Sequence, residues 1–454
     1  MKLTPLEPWI IDKIGVSQPA LDGQALQAYQ LDRLRQTIQV ARQNSRFYAP
    51  RLADAPADIA SLDELKRLPF TTPDDLRKNG PQMVCVSQSE IERIVTLDTS
   101  GTTGSPKRVY FTLADQELTI DFFQHGMSTF TGSGDRVLIL LPYERPGSVG
   151  DLLATGLRRL GAIPAGYGPL GDPRGAIEKL LAEGADVIVG APSNVLLLAR
   201  FWEARRLPRQ AGPKAVLLST DHVPQAIVVA LESAWDCQVY NHYGMTEMGL
   251  GGGVECQARS GYHLREADLF FEIVDPRNGQ PLPEGQSGEV VFTTLTRGGM
   301  PLIRYRTGDL SRFIPGQCAC GASLRRLEKV TRRLNGQATL AAARGEKAAN
   351  PGLSMADLDE ALFALPQVLN FSASLDRRDD LPGGPKDLLE VQLISLPGAV
   401  SELANRAIQA LETIPAIQAA RQAGALDLHI RLQAFNAAQA GSLAKRRIID
   451  LRGG

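Results

Sequence analysis

The sequence predicts an α/β protein. It has a large N-terminal domain of mostly parallel sheets covered by helices plus a barrel-like antiparallel subdomain, followed by a small α+β C-terminal domain. From 105 to 250, short apolar runs that end in Gly, Pro or Ser alternate with helical segments. From 269 to 313, the pattern changes to short strands separated by turns. After about residue 332 the composition shifts to an Ala/Gly-rich stretch, so we expect domains at 1–332 and 333–454.

The region before the alternating pattern is predicted to be mainly helical. One amphipathic helix is expected in residues 1–50, over about 26–44, where apolar side chains recur at helical spacing. Further along, Thr72 is a good N-cap for another helix, with Pro73 at its first position.

Strands and helices follow one another regularly in the next region. The expected strands are 136–141, 162–165, 187–190, 215–219 and 238–240. The expected helices are 148–160, 173–183, 193–205 and 224–234. Because strands joined by crossover helices run parallel, we expect ligand-binding loops at the carboxyl ends of these strands.

The last third of the chain is predicted to contain shorter strands. In the antiparallel subdomain the expected strands are 270–274, 288–295 and 302–306. In the C-terminal domain the expected elements are a helix at 354–364, strands near 368–375 and 388–396, a helix at 400–412 and a strand near 426–434.

Composition excludes several classes of protein. Of the 454 residues, 43% are hydrophobic and 22% charged, and the formal net charge is −1. Without a run of like charges, the sequence gives no support to a nucleic-acid or anionic-membrane partner. No apolar stretch is long enough for a membrane span, and the N-terminus lacks the apolar core of a signal peptide. Five sparse cysteines argue against a disulfide framework and for the cytoplasm.

A run rich in hydroxyls and glycine follows a short strand expected at 94–98. It reads Thr99-Ser100-Gly101-Thr102-Thr103-Gly104-Ser105-Pro106-Lys107. Gly101 and Gly104 allow the backbone to approach a ligand closely, so N–H groups and hydroxyls can surround phosphate oxygens near the charge of Lys107. The spacing is not that of a P-loop NTPase, because the glycines are three apart and Pro106 precedes the lysine. By composition alone, such a run is more typical of a surface turn.

Two further runs carry carboxylates near strand ends. The first is Tyr243-Gly244-Met245-Thr246-Glu247. A carboxylate beyond a strand, beside a hydroxyl and a glycine, suits Mg²⁺ and a nucleotide α-phosphate, although an isolated loop glutamate is usually just solvated. The second is Tyr305-Arg306-Thr307-Gly308-Asp309, although an isolated Thr-Gly-Asp is more typical of a turn after a strand. The carboxylate of Asp309 can accept both hydroxyls of a ribose.

Together, these three runs resemble the motifs of the adenylate-forming, or acyl-CoA synthetase, superfamily. The first matches its phosphate loop, T-S-G-T-T-G-x-P-K, in full. The lead-in, including Leu68-Pro69-Phe70-Thr71-Thr72, is similar to the phenylacetate–CoA ligase branch. The resemblance assigns the β- and γ-phosphates to residues of the first run: Thr99, Ser100, Gly101, Thr102, Thr103, Gly104 and Lys107.

The resemblance also assigns roles in the second run. It implies that Thr246 contacts the α-phosphate and that Glu247 is the Mg²⁺ ligand. Tyr243 would place its ring against the adenine, and Gly244 and Met245 complete this nucleotide-binding run.

The resemblance extends the nucleotide site to three other places. Asp309 would bind the ribose, and Arg332, at the position of an arginine beside the family's domain hinge, would reach the same ribose. Ser219, Thr220 and Asp221 occupy the adenine-edge position, where the branch more often has G-A-E.

Cysteine and histidine residues form a separate candidate metal site. Cys256 and His263 lie seven apart around Gly261, and Cys318 and Cys320 form a tight C-x-C turn. A Cys₃His set suits tetrahedral Zn²⁺ in a structural role. Reduced cysteines in the core beside a surface histidine are the alternative. Both parts fall where sequences similar to phenylacetate–CoA ligase carry them.

The C-terminal domain departs most from the family pattern. The family's hinge motif, G-R-x-D-D, is represented by 331–336, which keeps Arg332 and loses both acidic positions. Near the end, 444–450 resembles the family's closing G-K-A-K-R-V-x-D. A gapless alignment on Asp450 puts Ala444 in the place of the adenylation lysine, so Lys445 is the nearest candidate. A solvated basic end is the alternative.

The resemblance implies an AMP-forming acid–CoA ligase. Its substrates and partners would be a small carboxylic acid, aryl or arylacetic, with ATP and CoA, and its cofactors Mg²⁺ and structural Zn²⁺. Two alternatives stay open: a nucleotide-binding homologue with a degenerate C-terminal domain and weak or no ligase activity, or an adenylating enzyme with another acceptor. A homodimer is compatible with the sequence, which does not itself set an oligomeric state.

Overall fold

The computed structural model describes residues 1–17, 20–56, 59–97, 106–340, 352–378, 386–396, 400–436 and 446–452. Its helices are α1 (Leu6–Ile14), α2 (Gly23–Asn44), α3 (Tyr48–Arg51), α4 (Pro73–Asn79), α5 (Leu113–Met127), α6 (Val149–Arg159), α7 (Pro173–Glu183), α8 (Pro192–Ala204), α9 (Gln225–Trp235), α10 (Met355–Phe363), α11 (Val400–Glu412) and α12 (Pro415–Gln422).

The strands are numbered in the same way. They are β1 (Arg93–Leu97), β2 (Lys107–Phe111), β3 (Arg136–Leu140), β4 (Ile163–Gly166), β5 (Val187–Gly190), β6 (Ala215–Leu218), β7 (Gln238–Tyr243), β8 (Gly253–Glu255), β9 (Tyr262–Leu264), β10 (Leu269–Val274), β11 (Gly288–Thr294), β12 (Tyr305–Ser311), β13 (Phe313–Ile314), β14 (Arg326–Leu327), β15 (Arg332–Arg333), β16 (Gln337–Ala338), β17 (Leu353–Ser354), β18 (Val368–Arg378), β19 (Lys386–Ser395), β20 (Leu426–Ala434) and β21 (Ile448–Asp450).

The chain forms two compact units. The first comprises Met1–Asp135, Pro142–Pro164 and Tyr240–Val330, and the second comprises Arg136–Leu141, Ala165–Val239 and Thr331–Gly454. The packing therefore groups the C-terminal residues with part of the alternating region. The expected domain boundary between 332 and 333 stays a prediction.

Antiparallel strands dominate the later part of the first unit. β10 pairs with β11 and β11 with β12, both antiparallel, and this confirms the change of pattern predicted after residue 269. The start of the strand predicted at 302–306 was wrong, because β12 begins only at Tyr305 and continues to Ser311. Arg304 has a φ of 46°, in the left-handed region, which interrupts an extended backbone just before that strand.

A second antiparallel ladder connects β7, β8, β9, β14 and β13. His242 is opposite Val254, Val254 is opposite His263, and His263 is opposite Arg326. The chain enters the first unit within β7, at Tyr240. The run that ends in Glu247 begins at the last residue of this strand, Tyr243. Glu247 follows β7, and Cys256 follows β8, so this ladder positions residues of both candidate sites of the unit.

The N-terminal region has more helix than predicted. α1 buries Leu6 and Ile10 completely, and the indole N–H of Trp9 donates to Asp121 at 3.0 Å. This helix escaped prediction because prolines at two of its first positions resemble the punctuation of a loop. The N-cap of α4 is confirmed, since the Thr72 hydroxyl accepts from the Asp75 backbone N–H and the Asp75 carboxylate accepts from the Thr72 N–H.

The second unit contains the predicted parallel strands. β5 pairs in parallel with β3 and with β6, in a register that places Val187 beside Val137 and Ala215. Their side chains are buried on both faces, which explains the short apolar runs of the sequence.

The C-terminal residues add a four-stranded sheet in the order β20-β19-β18-β21. β18 and β19 are antiparallel, whereas β20 and β21 each pair in parallel with a neighbour. Apolar side chains of this part, such as Leu362 and Leu389, belong to the same core as Leu138 and Val216. The predicted α/β class is therefore confirmed, although α12 was not predicted.

Candidate active site

The hydroxyl-rich run connects a β-hairpin. β1 and β2 pair antiparallel, and Leu97 is opposite Lys107, so the connection begins and ends at one strand pair. Thr99, Ser100, Gly101, Thr102, Thr103 and Gly104 lie outside the described residues. Lys107 is the first residue of β2, and its side chain is 23% exposed.

Lys107 meets the second run at Glu247. The Lys107 Nζ atom lies 2.5 Å from Glu247 Oε1, although 140 positions separate the two residues in the chain. The Glu247 side chain is almost fully buried. The structure thus brings together one residue from each of the two runs for which a shared phosphate and metal site is expected.

Tyr305 is a second partner of Glu247. Its hydroxyl donates to Glu247 Oε1 at 3.0 Å. Burial alone would raise the pKa of Glu247, but the Lys107 ammonium and hydrogen bonds, including that of Tyr305, outweigh it and lower the pKa. The Glu247 carboxylate is therefore ionised at neutral pH.

The backbone around Glu247 is tightly folded. β7 ends at Tyr243, and Thr246 opens a single 3₁₀ turn that closes at Gly249, whose N–H donates to the Thr246 carbonyl. A Cβ at Gly244 would lie 2.6 Å from the Leu250 carbonyl oxygen, so only glycine fits there. This close turn directs Glu247 inward instead of into solvent.

Tyr243 and Asp309 contact each other. The Tyr243 hydroxyl donates to Asp309 Oδ2 at 3.0 Å, and its ring stacks on Tyr262. Asp309 lies within β12 and is buried, so the alternative of a turn residue after a strand does not hold. Gly308, with a φ of 75°, distorts the strand without ending it, and the pairing with β11 shifts nearby.

Other predicted nucleotide residues belong to the second unit. Ser219, Thr220 and Asp221 follow β6 as predicted, and Thr220 has a φ of 79°, an uncommon conformation for a residue with a Cβ. Arg332 opens β15 and is exposed. Lys107, Tyr243, Gly244, Met245, Thr246, Glu247 and Asp309 lie in the first unit, whereas Lys445 lies outside the described residues.

The Cys–His residues converge in the first unit. The ligand atoms of Cys256, His263, Cys318 and Cys320 all lie within 4.8 Å of one another, and all four residues are buried. Cys256 follows β8, His263 is in β9, and the two remaining cysteines lie between β13 and β14. The predicted set therefore forms a cluster, although its parts are distant in sequence.

Two ligand separations in this cluster suit a tetrahedral ion. Cys256 Sγ is 3.6 Å from Cys318 Sγ, and Cys320 Sγ is 3.5 Å from His263 Nε2. Ligand bonds of about 2.0 to 2.3 Å in a tetrahedron imply ligand separations of about 3.5 to 3.8 Å. Burial lowers the pKa of His263 to about 4, which keeps the imidazole neutral, and raises the pKa of Cys256 to about 12. A thiolate at Cys256 therefore requires a cation beside it.

Sequence reasoning did not identify two contacts of Glu247. Tyr305 belongs to the third run, but that run was assigned only to the ribose. Arg297 donates to the Glu247 carbonyl oxygen at 2.9 Å, and the loop that carries it has no recognisable motif. Only the three-dimensional packing reveals these neighbours.

Among the described residues, no helix combines the length and hydrophobicity that crossing a membrane would require.

Comparison with known proteins supplies independent findings. Residues 26–296 match the family model described as "AMP-binding enzyme". The chain is 34% identical to phenylacetate-coenzyme A ligase of Aromatoleum evansii over 320 residues, covering 68% of this chain and 70% of that enzyme. It is 31% identical to phenylacetate-coenzyme A ligase of Escherichia coli (strain K12) over 345 residues, covering 73% and 74%.

A solved structure is similar over most of the chain. The 2-hydroxyisobutyryl-CoA ligase in the postadenylation state, in complex with R3-HIB-AMP, gives a TM-score of 0.76 at 25% identity. The match covers 94% of this chain and 89% of that one.

Proposed function

Because this chain belongs to the AMP-binding enzymes and is an AMP-forming acid–CoA ligase, we propose that it activates an aryl or arylacetic acid with ATP and Mg²⁺ and transfers the acyl group to CoA. The observation that carries the proposal is the contact of Lys107 with the ionised, buried carboxylate of Glu247. The names of the curated relatives support the substrate class.

The reaction has two steps. The substrate carboxylate attacks the α-phosphorus of ATP, the bond to the bridging oxygen of the β-phosphate breaks, and pyrophosphate leaves. The CoA thiol then loses its proton and attacks the acyl carbon, and AMP leaves. No side-chain nucleophile is required, so the protein acts by positioning the reactants and stabilising charge.

Glu247 fits the Mg²⁺ site of this proposal, and Thr246 beside it would contact the α-phosphate. Mg²⁺ in nucleotide sites commonly uses one or two carboxylates together with substrate phosphates, and Glu247 is an ionised carboxylate. When bound, Mg²⁺ would neutralise charge on the triphosphate. Lys107, with the residues at 99–104, would bind the β- and γ-phosphates and stabilise the leaving pyrophosphate.

The remaining nucleotide contacts are proposed from the positions that these residues occupy in the family's sequence motifs. Asp309 would accept the ribose hydroxyls, with Tyr243 fixing its carboxylate through the bond at 3.0 Å. By the resemblance alone, Tyr243 would place its ring against the adenine, and Gly244 and Met245 would complete that nucleotide-binding run. The resemblance likewise assigns Ser219, Thr220 and Asp221 to the adenine edge and Arg332 to the ribose. Lys445 would stabilise the adenylation transition state.

The Cys–His cluster would hold one structural Zn²⁺. Four protein ligands leave no open position for substrate, and the ligand separations support a tetrahedral ion. Its ligands would connect the strand pair β8–β9 to the segment before β14. Action in the cytoplasm and assembly as a homodimer stay predictions.

ATP–pyrophosphate exchange with a panel of aryl, arylacetic and short aliphatic acids tests the proposal. We expect exchange with at least one aryl or arylacetic acid, and thioester and AMP when CoA is added. Exchange without a CoA thioester would indicate another acceptor. ATP binding without exchange for any acid would indicate a nucleotide-binding homologue.

A further inference from the structure

Arg297 connects the two elements that carry Lys107 and Glu247. Its Nη1 atom donates to the Glu247 carbonyl oxygen at 2.9 Å, and its Nη2 atom donates to the Tyr110 carbonyl oxygen at 3.0 Å. Tyr110 lies in β2, three positions after Lys107. The guanidinium also lies over the Phe111 ring, 4.4 Å from its centroid.

Arg297 is buried without a counter-ion. The residue is 8% exposed, its Nε atom has no acceptor among the described residues, and no direct ion pair with a described carboxylate is formed. The charges of Asp115 and Glu247 favour the guanidinium only from a longer distance, and burial still lowers its pKa. Removing a guanidinium from water is costly unless its donors are satisfied or its charge is used. A neutral side chain would fill the same space at lower cost, so packing alone does not explain an arginine here.

The geometry of the guanidinium explains why an arginine occupies this position. Its planar fork presents two Nη donors at a fixed separation, which a lysine ammonium cannot reproduce. One donor is used on β2 and the other on the turn of Glu247. Arg297 therefore bridges the two backbone segments whose side chains, Lys107 and Glu247, lie 2.5 Å apart.

The loop that carries Arg297 is itself held in place. The Asp115 carboxylate accepts from the N–H groups of Gly298 and Gly299, at 3.0 and 3.2 Å. A Cβ at Gly299 would lie 2.5 Å from that carboxylate, so the loop packs closely on α5. Arg297 consequently reaches its two carbonyls from a rigid support.

We propose that Arg297 is a positioning residue for adenylation: it holds the Glu247 main chain against the strand that carries Lys107 and so sets the place of the carboxylate proposed to bind Mg²⁺. The inference rests on the proposed function of Glu247. It adds a residue that belongs to none of the three sequence motifs and touches none of the reacting atoms.

The experiment compares Arg297→Lys with Arg326→Lys in the full-length protein. Arg326 is a matched control, because it is 7% exposed and its two Nη atoms also bridge main-chain carbonyls, those of Ser260 and Gly316. Both substitutions keep the charge and lose the fork. Their losses of thermal stability should therefore be similar.

Two readouts separate positioning from stability. The first is ATP affinity by calorimetry, with and without Mg²⁺ and without acid, so that no turnover occurs. For Arg297→Lys we expect the gain in affinity from Mg²⁺ to shrink by about 10- to 100-fold, as for other residues that orient metal ligands. The second is ATP–pyrophosphate exchange, which should fall by a similar factor. Arg326→Lys should stay within about twofold of wild type in both.

The outcomes distinguish this inference from the proposed function. If the wild type exchanges pyrophosphate and Arg297→Lys matches Arg326→Lys in both readouts, Arg297 is only structural and the inference is overturned. If Arg297→Lys does not fold, Arg297→Gln is measured in the same two assays. If the wild type itself shows no exchange and no effect of Mg²⁺ on ATP binding, the proposed function fails first.

Discussion

Glu247 in the first unit and Asp359 in the second are buried to a similar degree, 3% and 5% exposed, and the carboxyl group of each has one cationic partner. Lys107 contacts Glu247, and Arg446 donates to Asp359. The pKa of Glu247 is nevertheless lowered, whereas that of Asp359 is raised to about 7.

The other groups around each carboxyl account for the difference between the two pKa values. Burial raises the pKa of Asp359, Arg446 opposes this rise, and the nearby carboxylates of Asp221 and Glu360 add to it. Arg446 also divides its donors, since one goes to the Phe371 carbonyl oxygen at 3.1 Å. Glu247 instead has the Tyr305 hydroxyl as an additional donor.

This comparison separates a ligand site from a structural contact. A carboxylate that stays ionised without a metal can accept one, whereas a carboxyl that holds its proton near neutral pH is a poor ligand. Glu247 fits the first description and Asp359 the second. The pair of Asp359 with Arg446 instead holds the chain directly after Lys445 against α10.

The largest effect is expected at Lys445. If the residue beside Arg446 is the adenylation lysine, Lys445→Ala should lower adenylate formation by about 100- to 1,000-fold, because a charge on the transition state is lost. Thioester formation from a supplied acyl adenylate should persist. Single-turnover assays of each half-reaction measure this.

The adjacent exposed cation provides the control for Lys445. Arg447 is exposed in the structure, so Arg447→Ala should retain both half-reactions. Retention of both in Lys445→Ala as well would mean that the C-terminal part is a degenerate cap or uses another residue.

The Cys–His cluster is a third buried polar group. Its four side chains include no cation that could stabilise a thiolate, so a bound metal ion is expected to supply the charge. Cys318→Ala should reduce bound zinc from one per chain to less than about half, and lower the melting temperature by roughly 5 to 10 °C. Metal analysis of protein purified without chelator, with calorimetry, measures both. Cys237→Ala is the control, because this buried cysteine lies outside the cluster. A zinc-free wild type, with Cys318→Ala equally stable, would refute the site.

Lys107→Ala tests how much the ammonium group beside Glu247 contributes to adenylation. We expect a fall of about tenfold in ATP–pyrophosphate exchange, since one charge is lost while the backbone N–H groups of the loop remain. The pKa of Glu247 should rise at the same time. Loss as complete as that caused by removing Glu247 would show that the two residues act as a single unit.

The smallest expected effect is the dependence of stability on pH that Asp359 causes. Its raised pKa means that the folded state retains a proton that the unfolded state loses, so its contribution to stability is full below about pH 4 and is lost as the pH rises through about 7. Relative to Asp359→Asn, the free energy of unfolding of the wild type should fall by about 1.4 kcal/mol between pH 6 and pH 8. Melting curves of both proteins across this range measure it. A constant difference would contradict the raised pKa.

Local patterns predicted much of the fold and part of the site. Short apolar runs predicted the parallel strands, because burial on both faces requires them, and the cap at Thr72 follows from local chemistry. The motifs predicted that Lys107 and Glu247 serve one nucleotide, but their direct contact became visible only in the structure.

Features that depend on tertiary packing were not predictable. Arg297 sits in a loop without a motif, and its role depends on two carbonyls that are distant in sequence. The position of Asp309 within a strand was not predictable, because only its neighbours show that the strand continues through a left-handed glycine. Nothing in the local sequence around Asp359 reveals that Asp221 lies close enough to raise its pKa.

The most direct test of the central claim is ATP–pyrophosphate exchange at pH 7.5 in Glu247→Gln and Asp359→Asn, measured side by side. Both substitutions remove one buried carboxyl at nearly constant size, and melting curves verify that both proteins fold. We predict that Glu247→Gln loses exchange, whereas Asp359→Asn keeps it within about threefold of wild type. Exchange near the wild-type rate in Glu247→Gln, or equal loss in both variants, would contradict the assignment of Glu247 as the carboxylate that binds Mg²⁺.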